Sequence, residues 1–513
     1  MLLIHPPVVR PCEAPAGIAA LAGFLRHHGQ ICYTADLNLE GLHHLIEHPL
    51  QANGSENLPD DSWTRRSFRN RLTAWSRLSS WETYSRIDNY GEAIRSLNRV
   101  LEVQGGQTSS RISLTNYENA NLFPIRSADL IHAAENPQKN PFYPFFSRRL
   151  SELVEAHNPD IAGFSVNYLS QVLCTFAMIG HIRRCSPETR IVLGGGLITS
   201  WLRRPDWQNP FGDWVDHLVC GPGEEYLAQL FHLNGDSCTR ITPDYHDFSL
   251  NDYLAPGFIL PYSASRGCYW RRCTFCPEKA EKSVYHPTTP EILLKDLGKL
   301  VTDTHPILIH FLDNAMTPAL LRLLITHPPG VPWYGFVRFT PELHDPDFCI
   351  ALKKSGCTML KLGLESGDQG VLDNLEKNIH LDEASWSLQA LRQAGIGTYV
   401  YLLFGTPAED QASAEKTQDF VVSHAPWINF LNVAIFNLPL FSDEAKKYKT
   451  FPFYDGDLSL YTQFHHPRGW NRGKVRQFLD KQFKRHPAIT SILHRDPPAF
   501  TSNHAPLFML RQP

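Results

Sequence analysis

Three cysteines lie within nine residues in the segment Ser265-Arg266-Gly267-Cys268-Tyr269-Trp270-Arg271-Arg272-Cys273-Thr274-Phe275-Cys276. The segment directly follows residues 258–263, an apolar run that is typical of a buried strand. In barrels of alternating strands and helices, the loops after the strands carry the chemistry. Three thiolates this close can bind one soft-metal centre. The segment therefore predicts a metal site on a loop that follows a strand.

The identity of the metal is open between three alternatives. A structural zinc site needs a fourth protein ligand, and the nearest candidates are His286 and distant cysteines at no typical spacing. Three ligands with one open position fit an iron–sulfur cluster that binds a substrate or cofactor at its unique iron. Three unrelated thiols are the remaining alternative.

Outward from the cysteines, residues 255–440 alternate candidate strands with candidate helices. Helices are predicted at 292–300, 346–354 and 385–394. The candidate strands are 258–263, 307–312, 333–339, 358–364, 397–404 and 430–436. Six strand–helix units suit a full or partial barrel.

The N-terminal part reads as an α/β unit with an insertion. Its candidate strands are 2–4, 31–35, 161–166, 190–193 and 217–220, with helices near 18–29 and 173–182. Alternating strands and helices predict a parallel sheet, in which ligands bind beyond the carboxyl ends of the strands. Glycines and other small residues fall at those ends, at 194–196 and 221–224.

The insertion at about 41–150 has amphipathic helical spacing and many arginines. The apolar positions with this spacing are Phe68, Leu72, Trp75 and Leu78, then Ile87, Tyr90, Ile94, Leu97 and Leu101. Residues 65–99 carry eight arginines against three acids. Such a stretch favours either a surface for nucleic acid or an anionic substrate, or the solvated face of packed helices.

The composition of the 513 residues is that of a globular protein. Apolar residues make up 42%, charged residues 19%, and the net charge is −4. These values argue against disorder, collagen and coiled coil, and they provide no global attraction to nucleic acid or an anionic membrane. No apolar stretch reaches 18 residues, and the short run before His5 lacks the features of a secretory signal. A cytoplasmic setting with reduced thiols is therefore expected.

The cysteine segment resembles the radical SAM superfamily. The family pattern is C-x3-C-x-aromatic-C, and here Phe275 and the last spacing match, whereas four residues separate the first two cysteines. Some cobalamin-type members are similar in having an R-G-C-Y-W start and four intervening residues. Further resembling segments occur in the family's order at predicted strand ends: residues 311–314, Arg338, Gly363-Leu364-Glu365-Ser366-Gly367 with Val371, Leu372 and Lys377, and Gly405-Thr406-Pro407-Ala408-Glu409.

The resemblance implies the cofactors and their ligands. Cys268, Cys273 and Cys276 would bind a 4Fe–4S cluster, and S-adenosylmethionine (SAM) would bind its open iron and be cleaved reductively to a 5′-deoxyadenosyl radical. The residues expected at SAM are Phe275 beside the adenine, Asp313 facing the amino group, and Arg338, Glu365 and Ser366 at the ribose or carboxylate. An ion pair between Glu365 and Arg338 is the structural alternative.

The N-terminal unit resembles the cobalamin-binding domain that precedes the barrel in one branch of this superfamily. The residues expected at cobalamin are Pro7, Asn38, Ser165, Gly194, Gly195, Gly196, Gly221, Gly223 and Glu224. The D-x-H-x-x-G motif that supplies an axial histidine is absent, and Asp244-Tyr245-His246 only resembles its start. We therefore expect no histidine ligand from the protein. An α/β domain that has lost cobalamin is the alternative.

The expected fold class is α/β. It consists of a Rossmann-like cobalamin-binding domain (1–240), a partial (β/α)6 TIM-type radical SAM barrel (255–440), and a C-terminal region that shapes the substrate pocket or caps the barrel (441–513). A helix with Val475, Phe478, Leu479 and Phe483 on its apolar side is expected in the last of these. The other eight cysteines, Cys12, Cys32, Cys174, Cys185, Cys220, Cys238, Cys349 and Cys357, are expected to be mostly buried.

The resemblance implies a cobalamin-dependent radical SAM enzyme, with methylation of an unactivated carbon as the leading reaction. Radical rearrangement or cyclisation is the close alternative, and a module that senses cobalamin or SAM is an alternative of another class. RNA modification is disfavoured because no RNA-binding signature is visible. Expected partners are a small-molecule or peptide substrate and an electron donor such as flavodoxin or ferredoxin, without a membrane.

Overall fold

The computed structural model describes residues 1–49, 61–233 and 240–510. The chain divides into two compact units. The first unit is Met1–Phe258 with Asp455–Ser459 and Pro498–Thr501, and the second is Ile259–Tyr454, Leu460–Pro497 and Ser502–Pro513. The chain therefore returns twice to the first unit after the second has begun.

The first unit is built around a parallel sheet. Its strands are β1 (Leu2–His5), β2 (Tyr33–Asp36), β3 (Ser110–Ile112), β4 (Tyr117–Asn119), β5 (Ile161–Ser165), β6 (Arg190–Gly194) and β7 (His217–Leu218). The order in the main sheet is β2-β1-β5-β6-β7, and every pair is parallel. All five carboxyl ends consequently lie along one edge, which we call the carboxyl edge.

Helices connect these strands and form the insertion. They are α1 (Ala16–His27), α2 (Leu37–Glu47), α3 (Ser62–Arg69), α4 (Arg71–Arg77), α5 (Trp81–Tyr84), α6 (Ile87–Gly106), α7 (Ser127–Glu135), α8 (Tyr143–His157), α9 (Leu169–Cys185), α10 (Gly196–Leu202) and α11 (Gly223–Leu230). In α2 the Asp36 side chain accepts the backbone N–H groups of Asn38 and Leu39, so a residue at the end of β2 also caps the next helix.

The apolar spacing predicted for the start of the insertion is only partly right. The helix is interrupted at Asn70, between α3 and α4. Leu72 is 47% exposed, although Leu78 is buried. The break changes the helical phase, so a single stripe through all four apolar positions does not exist. By contrast, α6 buries Tyr90, Ile94, Leu97 and Leu101 as the spacing predicts.

The first unit extends past residue 240, where the sequence suggested its end. Arg26 on α1 forms an ion pair with Asp244 at 2.8 Å, and the Tyr253 hydroxyl donates to the Asp36 carboxylate at 2.8 Å. The Trp201 indole N–H also donates to the carbonyl of Leu458, at 3.1 Å. Such contacts join parts of the chain that are far apart in sequence, which composition alone does not reveal.

The second unit contains a six-stranded parallel sheet and smaller antiparallel sheets. Its strands are β8 (Ile259–Tyr262), β9 (Ser265–Arg266), β10 (His286–Pro287), β11 (Leu308–Met316), β12 (Trp333–Val337), β13 (Cys357–Glu365), β14 (Gly397–Phe404), β15 (Phe430–Ile435), β16 (Leu438–Pro439), β17 (Thr450–Pro452) and β18 (Tyr461–Phe464). The parallel order is β15-β14-β13-β12-β11-β8, while β9–β10 and β16-β18-β17 are antiparallel. All six strands predicted in this region are present, with ends shifted by a few residues.

The helices of the second unit follow the strands. They are α12 (Pro277–Ala280), α13 (Pro290–Thr304), α14 (Pro318–Thr326), α15 (Pro346–Lys354), α16 (Gln369–Asn374), α17 (Leu381–Gln393), α18 (Gln411–Ser423), α19 (Arg472–Lys481), α20 (Pro487–Leu493) and α21 (His504–Met509). Proline at the first position starts α14 and α15, and Thr317 and Asp345 cap them through their side chains. Proline is tolerated there because the first helical N–H has no partner in the helix.

Alternate side chains of β11–β15 lie on one face of the sheet, which we call the inner face. Neighbouring strands make contact there: Lys361 donates to His310 at 2.8 Å, and the rings of Phe336 and Tyr401 lie 5.3 Å apart. The inner-face residues are His310, Leu312, Asn314, Tyr334, Phe336, Arg338, Lys361, Gly363, Glu365, Tyr399, Tyr401, Leu403, Phe430, Asn432 and Ala434. The opposite face packs on helices, as the hydrogen bond from Tyr262 to Asp296 of α13 shows.

The predicted C-terminal helix is present as α19, which buries Val475, Phe478 and Leu479. Phe483 is buried in the following 3-10 turn. The sheet β16-β18-β17 was not anticipated from the sequence. Its first strand and the residues beside it form a small apolar cluster with Phe275 of the cysteine segment.

Candidate functional site

The cysteine segment begins at the carboxyl end of β8, as predicted. Gly267 has a φ of +72°, and a Cβ there would lie 2.5 Å from the carbonyl oxygen of Val284. Only glycine fits such a close approach in this backbone region. Gly267 therefore allows the chain to turn tightly between β9 and Cys268.

The three thiols differ in burial and lie within electrostatic reach of one another. Cys273 is buried, whereas Cys268 and Cys276 are half-buried. Burial raises the pKa of the Cys276 thiol to about 11, and the neighbouring Cys273 and Cys268 add to the rise. Burial also raises the pKa of Cys273, while the charges of Lys377 and Arg338 lower it. The cations therefore favour the thiolate form that a metal requires.

The donor set suits a cluster of several irons. Within the described ranges, no three His, Cys, Asp or Glu side chains are placed to hold a single metal ion. In a 4Fe–4S cluster each cysteine binds a different iron, so its ligands need not meet at one point. Three half-buried to buried thiols on one loop therefore fit the cluster.

Arg338 lies directly after β12 and connects the cysteine segment to the loop after β13. Its guanidinium donates to the Cys273 sulfur at 3.8 Å and to the carbonyl oxygen of Lys377. The same group lies 4.1 Å from the centre of the Trp270 ring. Since Arg338 is 5% exposed, its charge acts in a poorly solvated region.

Glu365 pairs with Lys377, and not with Arg338 as the structural alternative proposed. The Lys377 ammonium donates to Glu365 Oε1 at 2.7 Å, and the two side chains are 5% and 10% exposed. Lys377 also lies 5.6 Å from the centre of the Phe275 ring. The strand end, the lysine and the aromatic residue of the cysteine segment thus form one buried group.

Asp313 and Ser366 are bound to the protein itself. The Asp313 carboxylate accepts hydrogen bonds from the backbone N–H of Ala264, at 2.9 Å, and from the Ser265 hydroxyl. The Ser366 hydroxyl lies 3.1 Å from that of Thr417 and accepts the Asp368 N–H. Their geometry is that of residues that position the cysteine segment and the loop after β13.

Sequence reasoning did not single out Trp270 or assign a role to Lys377. Trp270 N–H donates to the Glu376 carbonyl at 3.1 Å, so the indole joins the cysteine segment to the loop that precedes Lys377. Trp270 lies in the cysteine segment, and Lys377 follows the segment at 363–367 that resembles the family. Trp270 and Glu376 are 106 residues apart in the chain, and their contact is visible only in three dimensions.

The residues predicted to bind cobalamin lie along the carboxyl edge of the first unit. Pro7 follows β1, Ser165 ends β5, and the three glycines Gly194, Gly195 and Gly196 join β6 to α10. Gly221 follows β7, while Gly223 and Glu224 open α11. The edge also exposes two apolar side chains, Tyr168 by 58% and Leu169 by 38%. An edge with small residues and uncovered apolar groups fits a large flat ligand.

Asn38 is bound to the protein, whereas His246 is exposed to solvent. Asn38 is 2% exposed and accepts the Val9 N–H at 2.8 Å, so it binds the loop after β1. The Asp244 carboxylate is paired with Arg26, and the His246 side chain is 88% exposed. His5, at the end of β1, is buried, and within the described ranges its Nδ1 has no hydrogen-bond partner.

Most of the other cysteines that the structure describes are buried, as expected. Cys12, Cys32, Cys174, Cys349 and Cys357 are buried. Cys185 and Cys220 are exposed, so burial was wrong for these two. Cys238 lies outside the described residues.

Comparison with known families identifies the class of the second unit. Residues 262–421 match the model of the radical SAM superfamily. They form a radical SAM domain, and the resemblance of the cysteine segment to that superfamily is confirmed. The match also confirms a 4Fe–4S cluster and SAM as the expected cofactors of this domain.

Two curated relatives, from different organisms, carry the same name as each other. The anaerobic magnesium-protoporphyrin IX monomethyl ester cyclases of Cereibacter sphaeroides and Rubrivivax gelatinosus are 22% and 24% identical to this chain over 362 residues. Each alignment covers 60% of this chain, and 56% and 63% of the respective relatives. The chain thus spans little more than half the length of the curated relatives it matches.

A solved structure shows the same fold. The radical SAM methyltransferase TsrM from Kitasatospora setae, solved with cobalamin and a 4Fe–4S cluster bound, has a TM-score of 0.50 and 14% identity. The match covers 86% of this chain and 72% of TsrM. It confirms the predicted fold class, an α/β unit followed by a radical SAM barrel. None of the helices in the described ranges has the length and apolar character that a membrane span needs.

Proposed function

We propose that this chain is a cobalamin-dependent radical SAM enzyme that methylates an unactivated carbon. The observation that carries the proposal is the arrangement of Cys268, Cys273 and Cys276 at the carboxyl end of the parallel sheet, with Arg338 and Lys377 beside the thiols. The radical SAM match over residues 262–421 supports the same chemistry.

The second unit provides ligands, orientation and a dry environment. When bound, the cluster supplies the electron that cleaves SAM. Cys268, Cys273 and Cys276 hold it, and Arg338 and Lys377 offset the negative charge of the thiolates in a buried region. Phe275 and Glu365 stand beside Lys377 and are the residues we assign to SAM. Asp313 and Ser366 position the loops that carry them.

The first unit provides the second cofactor site. When bound, cobalamin supplies the methyl group. Ser165, Gly196 and Gly221 offer small groups to its approach, and Tyr168 offers an apolar side chain beside them. TsrM, which shares the fold, binds cobalamin. Neither Asp244 nor His246 is placed as an axial ligand, which supports binding without a protein histidine.

The substrate is assigned to the inner face of the barrel sheet. Leu312 lies in the middle of a strand with buried neighbours, yet it is 37% exposed. Phe336, Tyr401 and Asn432 lie on the same face and are partly exposed. Uncovered apolar and amide groups inside a sheet are typical of a ligand site. A substrate with an apolar body and one hydrogen-bonding group fits them.

The test removes the cluster ligands. Protein reconstituted without oxygen is expected to bind roughly four irons per chain, the content of one 4Fe–4S cluster, to give a cluster EPR signal on reduction, and to cleave SAM to 5′-deoxyadenosine. The Cys268/Cys273/Cys276→Ala triple variant is expected to lose all three properties, while Cys349→Ala, which removes a buried cysteine elsewhere, keeps them. Complete absence of SAM cleavage in well-reconstituted protein would contradict the proposal.

Radical cyclisation is the second candidate. It is favoured by the two relatives that are magnesium-protoporphyrin IX monomethyl ester cyclases. The products separate the two reactions, because methyl transfer yields S-adenosylhomocysteine together with 5′-deoxyadenosine. Formation of 5′-deoxyadenosine alone in the presence of substrate would decide for cyclisation or rearrangement.

A further inference from the structure

A small cavity lies between the insertion and α9 in the first unit. Its volume is about 150 Å³, which is large enough for a molecule of the size of benzene. The hairpin β3–β4, the end of α7, the turn at Pro137–Lys139 and the middle of α9 form its walls. None of its lining residues, all of them described, is among those assigned to SAM or cobalamin. The cavity is therefore a candidate for a third ligand site.

One wall of the cavity is apolar and fixed in place. Leu173 and Ala177, one turn apart on α9, line it together with Ala133 of α7. All three residues are buried. The two helices lie very close, because a Cβ on Gly180 would clash with the carbonyl group of Ala134. The helices pack backbone against backbone at this point, which holds the apolar wall in position.

Another wall offers hydrogen-bond donors. Asn140 is 8% exposed, and its Oδ1 accepts the Phe142 N–H at 3.0 Å. Its amide nitrogen lies 3.5 Å from the Cys174 sulfur, and a thiol is a weak acceptor. Since the amide group carries two N–H donors, Asn140 keeps donor capacity for a ligand oxygen.

Two acceptors beside the cavity are already engaged. Asn119 Oδ1 accepts the N–H groups of Asn121 and Leu122, at 2.9 and 3.0 Å. The His132 carbonyl, near the negative end of α7, accepts both the backbone N–H and the side-chain amide of Asn136, each at 3.1 Å. The hydrogen-bonding capacity that remains is therefore mainly that of donors, which favours a ligand with acceptor oxygens.

The charge at the cavity is positive. Lys139 lines it and is exposed at the end of its turn. In the part of the chain that the structure describes, no hydrogen bond or ion pair involves the Lys139 ammonium. The lining residues, which are all described, include no Asp or Glu. The local potential therefore favours an anion.

We propose that this cavity binds the anion of a short-chain carboxylic acid. The carboxylate accepts hydrogen bonds from the Lys139 ammonium and the Asn140 amide, and the hydrocarbon chain packs on Leu173 and Ala177. Hydrogen bonds to an ionised group are shorter and stronger than neutral ones. An acid of about six non-hydrogen atoms, as in butyrate, matches a cavity that can hold benzene. The site is independent of the cluster, SAM and cobalamin.

The apolar wall separates this class of ligand from other occupants. Phosphate carries oxygens on all sides, so it would place oxygens without partners against Leu173 and Ala177, which is costly. A cavity of this volume has room for about five water molecules, and those beside the apolar wall find few hydrogen-bond partners. A carboxylic acid satisfies the polar and the apolar wall at once.

The test is isothermal titration calorimetry on the full-length protein. Sodium butyrate, butyramide and inorganic phosphate are the probes, at constant pH and ionic strength. Butyrate is expected to bind at one site per chain. Butyramide, which has the same shape without the charge, and phosphate are expected to bind more weakly by about tenfold or more.

Two variants test the site itself. K139Q removes the cation at an exposed position and is expected to weaken butyrate binding about tenfold. A177L fills the cavity and is expected to abolish butyrate binding, and its melting temperature shows that it folds. The matched control K295Q removes an exposed lysine of α13 and is expected to bind butyrate like the parent.

Four results would overturn the proposal. If the parent does not bind butyrate, the cavity holds only water. If butyrate and butyramide bind equally well, or if K139Q binds butyrate like the parent, no cation recognises the ligand. If phosphate binds more tightly than butyrate, the class of ligand is wrong. If folded A177L still binds butyrate like the parent, the ligand lies elsewhere.

Discussion

At the scale of single residues, the site is a set of buried charges that neutralise one another. The pair of Lys377 and Glu365 lies next to Arg338 and the thiol of Cys273, all of them nearly inaccessible to solvent. A buried charge without a partner is costly, and removing one member of such a pair destabilises by roughly 3–5 kcal/mol. These residues are therefore coupled, and substitutions there are expected to affect cluster content and stability together.

Glu409, in the loop after β14, provides a prediction on pH. Its Oε2 accepts the Gly405 N–H and the Trp470 indole N–H, the latter at 2.9 Å, and within the described ranges Oε1 has no partner. Burial raises the pKa of this carboxyl from 4.5 to about 8. The folded state therefore binds a proton that the unfolded state has released, and stability falls as the pH rises from about 5 to 8, by at most about 5 kcal/mol.

The measurement is the melting temperature between pH 5.5 and 9 for the parent and E409Q. The variant is expected to show a flatter decline, because its neutral amide oxygen still accepts both hydrogen bonds. Burial also raises the pKa of Asp496 to about 8, so part of the decline in melting temperature remains in E409Q. The control D480N removes an exposed carboxyl whose pKa Lys484 lowers, so it should leave the slope between pH 5.5 and 9 unchanged. Identical slopes in the parent and E409Q would refute the assignment.

At the scale of elements, tight turns at strand ends form both candidate sites. The turn from β6 to α10 is an example of such a turn. Gly195 has a φ of +105°, and a Cβ there would lie 2.4 Å from the carbonyl oxygen of Val166. Any other residue would force the loop after β5 away from the loop after β6. The carboxyl edge depends on this close approach.

This contact predicts that G195A destabilises the first unit and weakens cobalamin binding. Strain at positive φ and the clash with Val166 together are expected to lower stability by roughly 1–3 kcal/mol. G106A, at the end of α6, is the matched control, because its φ is not positive and a Cβ there would meet nothing within 4 Å. Equilibrium dialysis with hydroxocobalamin and thermal melting measure the two effects. Equal cobalamin affinity in both variants would contradict a role for this turn.

At the scale of the whole molecule, the C-terminal region belongs to both units. Asp455–Ser459 is part of the first unit, although almost 200 residues separate it from Phe258. Leu458 is 1% exposed. Its N–H donates a hydrogen bond to the Ile125 carbonyl, and its carbonyl accepts one from the Trp201 indole. The first unit is consequently complete only when Asp455–Ser459 and Pro498–Thr501 are in place.

L458A is therefore expected to destabilise the first unit, although the residue lies far along the chain. Deleting a buried leucine side chain costs roughly 2–5 kcal/mol, and the backbone hydrogen bonds remain. Calorimetry should show a lower transition temperature for the first unit. The temperature at which the cluster absorbance disappears should stay the same. L438A, which removes a buried leucine near Phe275 in the second unit, should show the reverse. Loss of the cluster absorbance at a lower temperature in L458A would disprove the assignment of Leu458.

The fold class and three candidate cluster ligands could be predicted from the sequence by itself. Parallel strands buried on both faces are continuous apolar runs, so all six barrel strands could be predicted from local sequence. The three cysteines could be singled out as candidates because they lie within nine residues of one loop. The carboxyl ends of the strands also had to share an edge, since every connection in a parallel sheet returns to the same end.

Only the tertiary structure decided how those ends are used. It paired Glu365 with Lys377 instead of Arg338, bound Asp313 and Ser366 to their own loops, and placed Trp270 under the Arg338 guanidinium. It also broke the predicted stripe at Asn70 and assigned residues near 457 to the first unit. Local periodicity reports which face of an element is buried. The choice between several possible partners depends on distances between loops that follow different strands, and these distances exist only once the sheets have formed.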